Sequence, residues 1–186
     1  AAFVASDLLS QAEHGADSQV ILVSTSKALI AAVEKEIKSQ LEVLPRKAIA
    51  EKAIANSKLI YVGSHETALE LIDEYGPEHF IVATNDNDYY VDNIANAGSV
   101  FIGNYTPESA GDYASGTNHT LPTNGYAKQY SGVNLDSFMK NMTFQELSPE
   151  GIQNIGMAIE LMAAAEGLQA HKNAVTLRLN KLAKQN

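Results

Sequence analysis

Two polar side chains near the amino terminus have the spacing of a pair of metal ligands. Gln11 and His14 lie three residues apart in the segment Leu8-Leu9-Ser10-Gln11-Ala12-Glu13-His14-Gly15. Residues three apart share a face of an α-helix, and a glycine is typical just beyond a helix end. An amide oxygen and an imidazole on one face could therefore supply two ligands of a metal site that needs further residues. The alternative is the end of a surface helix that carries two polar residues.

Two further pairs combine an acid with an imidazole. Glu78 and His79 adjoin in Gly76-Pro77-Glu78-His79, just before a predicted strand. The carboxylate could activate water, and the imidazole, which titrates near neutrality, could act as a general base. Glu166 and His171 lie on either side of a predicted helix break at Gly167. The alternatives are a charged loop for the first pair and two exposed helix residues for the second.

A segment rich in Gly, Asn, Thr, Ser and Tyr adds Asp112 and His119 to the candidates. Asp112 could complete a metal site, and His119 could bind a carboxyl or carbonyl oxygen of a substrate. Turn formation is the alternative, because Asp and Asn favour turns. A ligand set of imidazole, amide and carboxylate without sulfur suits Zn, Mn or Co. The remaining histidine, His65, follows a capping serine at a predicted helix start and is interpreted as a surface residue.

Composition limits the class of protein. The chain has 186 residues, 45% of them hydrophobic, and a formal net charge of -9. This charge argues against nucleic acid or an anionic membrane as a partner. There is no cysteine, which excludes disulfides and thiolate metal sites and fits the cytoplasm. No apolar run approaches membrane-spanning length, and no signal peptide is recognised.

The first part of the chain alternates short apolar runs with segments of helical periodicity. We predict strands at residues 19–24, 58–62, 79–83 and 99–102, and helices at residues 1–14, 26–43, 46–56, 64–76 and 86–97. Such alternation predicts an α/β fold, Rossmann-like, with a mostly parallel sheet covered by helices on both faces. Ligands in such folds gather beyond the carboxyl ends of the strands.

The remainder of the chain divides into a loop region and a tail. Residues 104–133 contain few aliphatic residues and are predicted to form a long functional loop. Residues 134–186 are predicted to form a small all-helical appendage, with helices at 135–142, 148–165 and 168–183. We therefore expect an α/β domain over residues 1–133, which carries the metal and catalytic residues, and a helical domain over residues 134–186.

Several segments together resemble the histidinol dehydrogenase family. They occur in the family's order and span nearly the whole chain: Ser10-Gln11-Ala12-Glu13-His14-Gly15, Asp17-Ser18-Gln19-Val20, Gly76-Pro77-Glu78-His79, Ala97-Gly98-Ser99-Val100-Phe101-Ile102-Gly103, Tyr105-Thr106-Pro107-Glu108, Gly111-Asp112-Tyr113, Asn118-His119, Leu121-Pro122-Thr123, Ala165-Glu166-Gly167-Leu168, Ala170-His171 and Asn173-Ala174-Val175. Every histidine except His65 falls at a family position. The chain departs from the family at two loop positions, Thr117 and Asn124, where Pro and Gly are expected.

The resemblance implies a reaction and a metal. The family oxidises L-histidinol to L-histidine through histidinaldehyde, with two NAD in succession, at the last step of histidine biosynthesis. Its zinc anchors the imidazole and the amine of the substrate. The positions in this chain that match the zinc ligands, and that would also contact the substrate, are Gln11, His14, Asp112 and His171.

The resemblance also implies roles for four further residues. Glu78 matches the residue that activates water in the aldehyde step, and His79 matches the general acid/base, which also contacts the substrate. His119 and Glu166 match substrate-binding positions.

The family is an intertwined homodimer, and the resemblance implies that the tail of this chain crosses to the partner. Glu166 and His171 would then complete the site of the other subunit. Family members are much longer than this chain, and the amino-terminal half supplies most contacts with NAD, so no NAD-binding residue is predicted here. We expect this chain, which begins without Met, to be the carboxyl-terminal part of a cytoplasmic enzyme and inactive alone.

Two alternatives remain open at the level of sequence. One is a related metal-dependent dehydrogenase that acts on another small polar alcohol, because function resides in the site rather than in the fold. The other is a module that binds metal or dimerises without catalysis.

Overall fold

The computed structural model describes residues 1–184 as two compact units. The first unit comprises residues 1–139, and the second begins at Lys140. The predicted boundary between residues 133 and 134 lies inside the first unit. Residues 185 and 186 of the predicted tail lie outside the described part of the chain.

The first unit alternates helices with short strands. Its elements, in chain order, are α1 (Ala2–Ala12), β1 (Ile21–Ser24), α2 (Lys27–Leu41), α3 (Lys47–Ala55), β2 (Lys58–Tyr61), α4 (His65–Tyr75), β3 (His79–Val82), α5 (Asn87–Asn93), β4 (Ser99–Ile102) and α6 (Glu108–Tyr113), followed by 3-10 helices at Tyr126–Lys128 and Leu135–Phe138. The second unit contains α7 (Pro149–Ala165) and α8 (Gln169–Ala183). The predicted α/β class is confirmed.

All of the strand pairing is parallel, within the described residues. β1 pairs with β2, with Ile21 opposite Lys58, and β3 pairs with β4, with His79 opposite Ser99. The four strands lie where the apolar runs predict them. Their hydrogen bonds form two two-stranded sheets, whereas the sequence suggested one continuous sheet.

Alternate residues of β1 and β2 face two different apolar clusters. Leu22 and Leu59 pack against a cluster built from α1, α2 and α3, whereas Val23 and Ile60 pack against a second cluster that also receives Phe80 of β3. Successive side chains of a strand point to opposite faces. The β1–β2 sheet is therefore covered on both faces, as predicted, and its second face shares a core with the β3–β4 sheet.

Several predicted boundaries are wrong, and local hydrogen bonds explain one of them. The helix expected over residues 86–97 ends at Asn93, because the Asp73 carboxylate accepts hydrogen bonds of 2.9 Å from the backbone N–H groups of Ala95 and Asn96. These amides cannot then continue a helical ladder. The helix predicted over residues 135–142 is a 3-10 helix at Leu135–Phe138, and the predicted loop over residues 104–133 contains α6.

The second unit is a helix pair. The side chain of Ser148 caps α7 by accepting from the backbone N–H of Gly151, as the sequence predicts. Gly156 lies against Leu179 of α8, and the Thr176 hydroxyl donates a hydrogen bond to Glu160. Gly167, at φ +73°, makes the turn between the two helices.

Among the described residues, no helix combines the length and the apolar character needed to cross a membrane.

Candidate functional site

The Glu78–His79 pair lies at the amino end of β3. Backbone hydrogen bonds from Gly98 and Ser99, at the start of β4, hold this part of the chain in place. The N–H of Ser99 donates to the Glu78 carbonyl at 2.9 Å, and the N–H of Gly98 donates to the Pro77 carbonyl at 2.8 Å. A Cβ at position 98 would lie 2.5 Å from the Glu78 carbonyl oxygen. Only glycine permits this close approach. The pair lies where the sequence places it, at the start of the strand.

Helix α6 brings two carboxylates towards His79. Glu108 and Asp112 lie four residues apart and therefore share a face of α6. Between them, Gly111 packs on the Phe101 ring so closely that a Cβ would lie 2.7 Å from the ring. The centroid of that ring is 6.0 Å from the centroid of the His79 ring. The contact of α6 with β4 thus places both carboxylates beside the imidazole.

These three side chains could share a cation. One ligand atom from each of His79, Glu108 and Asp112 lies within 4.8 Å of the other two. The group differs from the zinc ligands that the resemblance implies, since only Asp112 belongs to both sets. The group of His79, Glu108 and Asp112 shows where nitrogen and oxygen ligand atoms come together in the first unit.

Glu108 is the centre of this cluster. Its side chain is only 3% exposed, and among the described residues it is the one polar or charged residue that is buried. Its Oε2 accepts a hydrogen bond of 2.5 Å from Nε2 of Gln11, and its Oε1 lies 3.6 Å from Nε2 of His79. Oε1 of Glu108 and Nε2 of His79 are both buried without a hydrogen-bond partner. Since buried polar atoms are normally paired, this arrangement fits a site that a bound group completes.

Burial and neighbouring charges shift three pKa values in the cluster. Burial, together with the nearby Asp112 carboxyl, raises the pKa of Glu108 to about 7, and the Gln11 amide opposes this. Burial also raises the pKa of Glu78 and lowers the pKa of His79. Desolvation disfavours the charged form in each case. Near neutrality His79 is therefore held in its neutral form, which can accept a proton.

Gln11 and His14 were predicted to share one face of a helix, but only Gln11 lies in the helix. Helix α1 ends at Ala12, so Gln11 lies in its last turn and His14 lies beyond it. The two residues do not share a regular helical face, because the N–H of His14 bonds to the Gln11 carbonyl at 3.2 Å in a tighter turn. The Gln11 amide donates to Glu108. Burial sets the direction of both neighbouring shifts, which raises the pKa of Glu78 and lowers the pKa of His79, and the electrostatic effect of the nearby His14 opposes the first shift and adds to the second.

The other predicted residues lie outside this cluster. His119 is exposed in the loop after α6, where the Asn118 side chain accepts from the N–H of Thr120 at 2.7 Å and forms a turn. Glu166 and His171 belong to the second unit, at the end of α7 and the start of α8, and both are exposed. His65 is exposed, as interpreted, and its Nδ1 lies 2.8 Å from the Tyr90 hydroxyl.

Glu108 was not among the site residues predicted from the sequence. Pro107-Glu108 is a typical helix start and Asp112 follows one turn later, but these features indicate at most a helix and not the burial of Glu108. That short helix was hidden in a segment whose composition predicts a loop.

The donors that converge here fit a divalent cation. Gln11, His14 and Asp112 offer amide, imidazole and carboxylate ligands, which zinc accepts. Nε2 of His79 and Oε1 of Glu108 are buried without a hydrogen-bond partner, and both residues belong with Asp112 to the group whose ligand atoms lie within 4.8 Å of one another. Fold and site together define an α/β protein with a metal-compatible acid–imidazole site on parallel strands.

Comparison with known proteins identifies the family. The sequence profile of the family described as histidinol dehydrogenase matches residues 1–179. The chain belongs to the histidinol dehydrogenase family.

Individual relatives agree with this assignment. The chain is 62% identical to histidinol dehydrogenase of Bacteroides fragilis (strain YCH46), over 98% of this chain and 42% of that protein. It is 55% identical to the histidine biosynthesis trifunctional protein of Komagataella pastoris, over 97% of this chain and 22% of that protein. The crystal structure of histidinol dehydrogenase from Elizabethkingia anophelis superimposes with a TM-score of 0.92 at 56% identity, covering 98% of this chain and 42% of that one. The chain thus spans less than half the length of these relatives.

Proposed function

We propose that the protein to which this chain belongs oxidises L-histidinol to L-histidine through histidinaldehyde, with two NAD, in the last step of histidine biosynthesis. The observation that carries the proposal is the family match over residues 1–179, which includes every candidate site residue. The polar cluster around His79 and Asp112 supports it, because that cluster supplies both metal-compatible donors and groups for proton transfer.

In this proposal Gln11, His14, Asp112 and His171 hold zinc. Zinc, when bound, supplies a positive charge that fixes the imidazole and the amine of the substrate. His119 and Glu166 contact the substrate as well. Holding the substrate in one pose lets both oxidations occur at the same carbon without release of the aldehyde.

His79 acts as the base for the first oxidation. Loss of a hydride from the alcohol carbon requires that the hydroxyl proton leave as well. His79 is suited to accept this proton, because burial lowers its pKa and its Nε2 is unpaired. NAD, when bound, accepts the hydride.

Glu78 acts in the second oxidation. An aldehyde must add water before its carbon can lose a hydride, and the product of that loss is the carboxylic acid. Glu78 is suited to deprotonate this water, because burial raises the pKa of its carboxyl towards neutrality. Its backbone carbonyl accepts a hydrogen bond from the N–H of Ser99 in β4, which fixes the chain at this position.

The proposal includes a homodimer in which the second unit is exchanged between subunits. Helix α7 exposes Met157, Leu161 and Met162 at 71%, 65% and 67% of their surface. Met157 and Leu161 are four positions apart and share one face of α7, whereas Met162 lies on the adjoining side of the helix. Burial of these side chains against a partner subunit would remove them from water. Glu166 and His171 would then reach the partner's site.

Two narrower expectations remain predictions. One is that the reaction takes place in the cytoplasm. The other is that the 186-residue chain is inactive by itself, which an assay beside the full-length protein checks.

Calorimetric titration of the full-length protein with L-histidinol tests the proposal. Binding is expected with zinc present and is expected to weaken strongly when zinc is removed by a chelator. L-leucinol, an amino alcohol without an imidazole, should not bind comparably. Gln11→Ala should weaken the zinc-dependent binding, whereas Gln129→Ala, at an exposed glutamine of the same unit, should not. Equal binding of both alcohols, or binding that ignores zinc, would contradict the proposal.

A further inference from the structure

Glu108 connects two residues to which the proposed function gives different tasks. One carboxylate oxygen accepts from the amide of Gln11, a proposed zinc ligand. The other oxygen lies 3.6 Å from Nε2 of His79, the proposed base. The hydrogen bond to Gln11 can control the orientation of that amide, whereas His79 is a close neighbour without a hydrogen bond.

The hydrogen bond between Gln11 and Glu108 determines which end of the Gln11 amide, the NH2 group or the oxygen, faces Glu108. Nε2 of Gln11 donates to Oε2 of Glu108, so the amide presents its NH2 group to the carboxyl. In its ionised form, which a bound cation favours, Glu108 only accepts hydrogen bonds and cannot bind the other end of the amide. The amide oxygen is the opposite end of the same planar group and is left free. Glutamine binds a hard cation through that oxygen, so the contact selects the orientation in which Gln11 can act as a ligand.

We infer that Glu108 is a positioning residue that holds the Gln11 amide oxygen available to the metal. The inference rests on the proposed function, because it takes Gln11 as a zinc ligand. Groups that orient metal ligands in this way are often as important for affinity as the ligands themselves.

Replacement of Glu108 by glutamine keeps the side-chain volume but no longer favours one orientation of the Gln11 amide. A glutamine at this position can accept from the NH2 group of Gln11 or donate to its oxygen, so both amide orientations become compatible. In the full-length protein, we expect Glu108→Gln to weaken zinc binding by about 10–100-fold, measured by competition with a chromophoric chelator. Glu108→Asp keeps an acceptor-only group and should lose less affinity.

A double-mutant cycle separates positioning from direct ligation. If Glu108 acts through Gln11, Glu108→Gln should change zinc affinity by no more than about twofold in a protein that already carries Gln11→Ala. If Glu108 were itself a ligand, the full loss would persist in that background, and the inference would be overturned.

The control is Glu66→Gln, which removes an exposed carboxylate from the first turn of α4. It should leave zinc affinity unchanged. Circular dichroism and urea unfolding of the metal-free variants show whether each is folded. If Glu108→Gln does not fold, the same cycle is run with Glu108→Ala, which also removes the acceptor.

Measurements on the wild-type protein distinguish failure of the inference about Glu108 from failure of the proposed function. Zinc-dependent oxidation of L-histidinol by wild type, combined with unchanged zinc affinity in Glu108→Gln, would overturn the role of Glu108 and leave the proposed function intact. A wild-type protein that binds no zinc would overturn both.

Discussion

Glu78 and His79 are neighbours in the chain, and burial shifts their pKa values in opposite directions. The pKa of the carboxyl rises and the pKa of the imidazole falls, because desolvation disfavours the charged form of each. The shift of Glu78 brings its carboxyl closer to the pH range in which a carboxylate is an efficient base. The shift of His79 keeps its imidazole neutral near pH 7 and therefore able to accept a proton. Their assignment to successive oxidations can be tested separately.

Glu78→Gln should separate the two oxidations in the full-length protein. The first oxidation needs His79 and should continue, whereas the second should slow by about 10²–10⁴-fold because water is no longer activated. The measurement is NADH formation together with trapping of histidinaldehyde. Glu70→Gln, an exposed acid on α4, serves as the control. An equal loss of both oxidations would show that Glu78 has a different role.

The raised pKa of Glu108 predicts a pH dependence of stability for the metal-free protein. The carboxyl has an ordinary pKa of 4.5 when unfolded and a pKa of about 7 when folded. Between these values the folded state binds the proton and the unfolded state does not, so the free energy of unfolding falls as pH rises through this window. In Glu108→Gln this residue cannot ionise, so it contributes no such decrease in the free energy of unfolding.

The stability advantage of Glu108→Gln over wild type should therefore grow from about pH 4.5 to about pH 7 and then level off. Urea unfolding of both proteins in the presence of a chelator, at pH values below, within and above the window, measures this difference. A difference that stays constant with pH would mean that Glu108 ionises normally.

At the residue scale, the sequence alone identified candidate metal-binding and catalytic side chains but not the contacts between them. Glu78, His79 and Asp112 were candidates by residue type, with a charged loop or a turn as the alternative, and the resemblance to the histidinol dehydrogenase family gave them roles. Glu108 could not be identified, since what distinguishes it is its burial between Gln11 and His79. That burial depends on residues far apart in the chain.

At the scale of elements, the site depends on how closely β4 and α6 approach their neighbours. β4 and the residue before it hold the backbone of Glu78, and α6 rests on Phe101 through Gly111. The strands were predictable because short apolar runs between helical segments have few alternatives. The six-residue helix α6 was not, because its contact with Phe101, rather than helical periodicity, distinguishes it from a loop.

Gly98→Ala tests the close approach at Glu78. Its Cβ would lie 2.5 Å from the Glu78 carbonyl oxygen, so β3 and β4 must move apart. We expect a loss of about 1–3 kcal/mol in the free energy of unfolding, as for other overpacked sites, together with reduced turnover. Denaturant unfolding and the NADH assay measure the two effects.

Gly63→Ala is the matched control, because nothing lies within 4 Å of a Cβ at that position. It should change stability by no more than about 1 kcal/mol. Equal effects of the two substitutions would show that the approach of Gly98 to Glu78 is not what constrains this position.

At the scale of the whole molecule, the proposed site needs residues from both units. Gln11, His79 and Asp112 belong to the first unit, and Glu166 and His171 belong to the second. The sequence predicted a separate helical tail from its composition. Exchange of that tail between subunits was implied by the resemblance and depends on a partner chain, which the pattern of one chain does not encode directly.

Complementation tests the exchange. Glu78→Gln and His171→Asn should each be inactive alone in histidine formation. In a mixed dimer with exchanged tails, one site carries both substitutions and the other carries neither. A mixture refolded in equal amounts should therefore recover about a quarter of wild-type activity, since half of the dimers are mixed and half of their sites are intact. No recovery, in a mixture shown to contain mixed dimers, would contradict tail exchange.

The most direct test of the central claim is the stoichiometry of the reaction of the full-length protein with L-histidinol. We predict two NADH and one L-histidine for each L-histidinol consumed, with activity lost on removal of zinc and restored on its return. No NADH, or a single NADH with an aldehyde or other product, would contradict the assignment of this protein as the enzyme that converts L-histidinol to L-histidine.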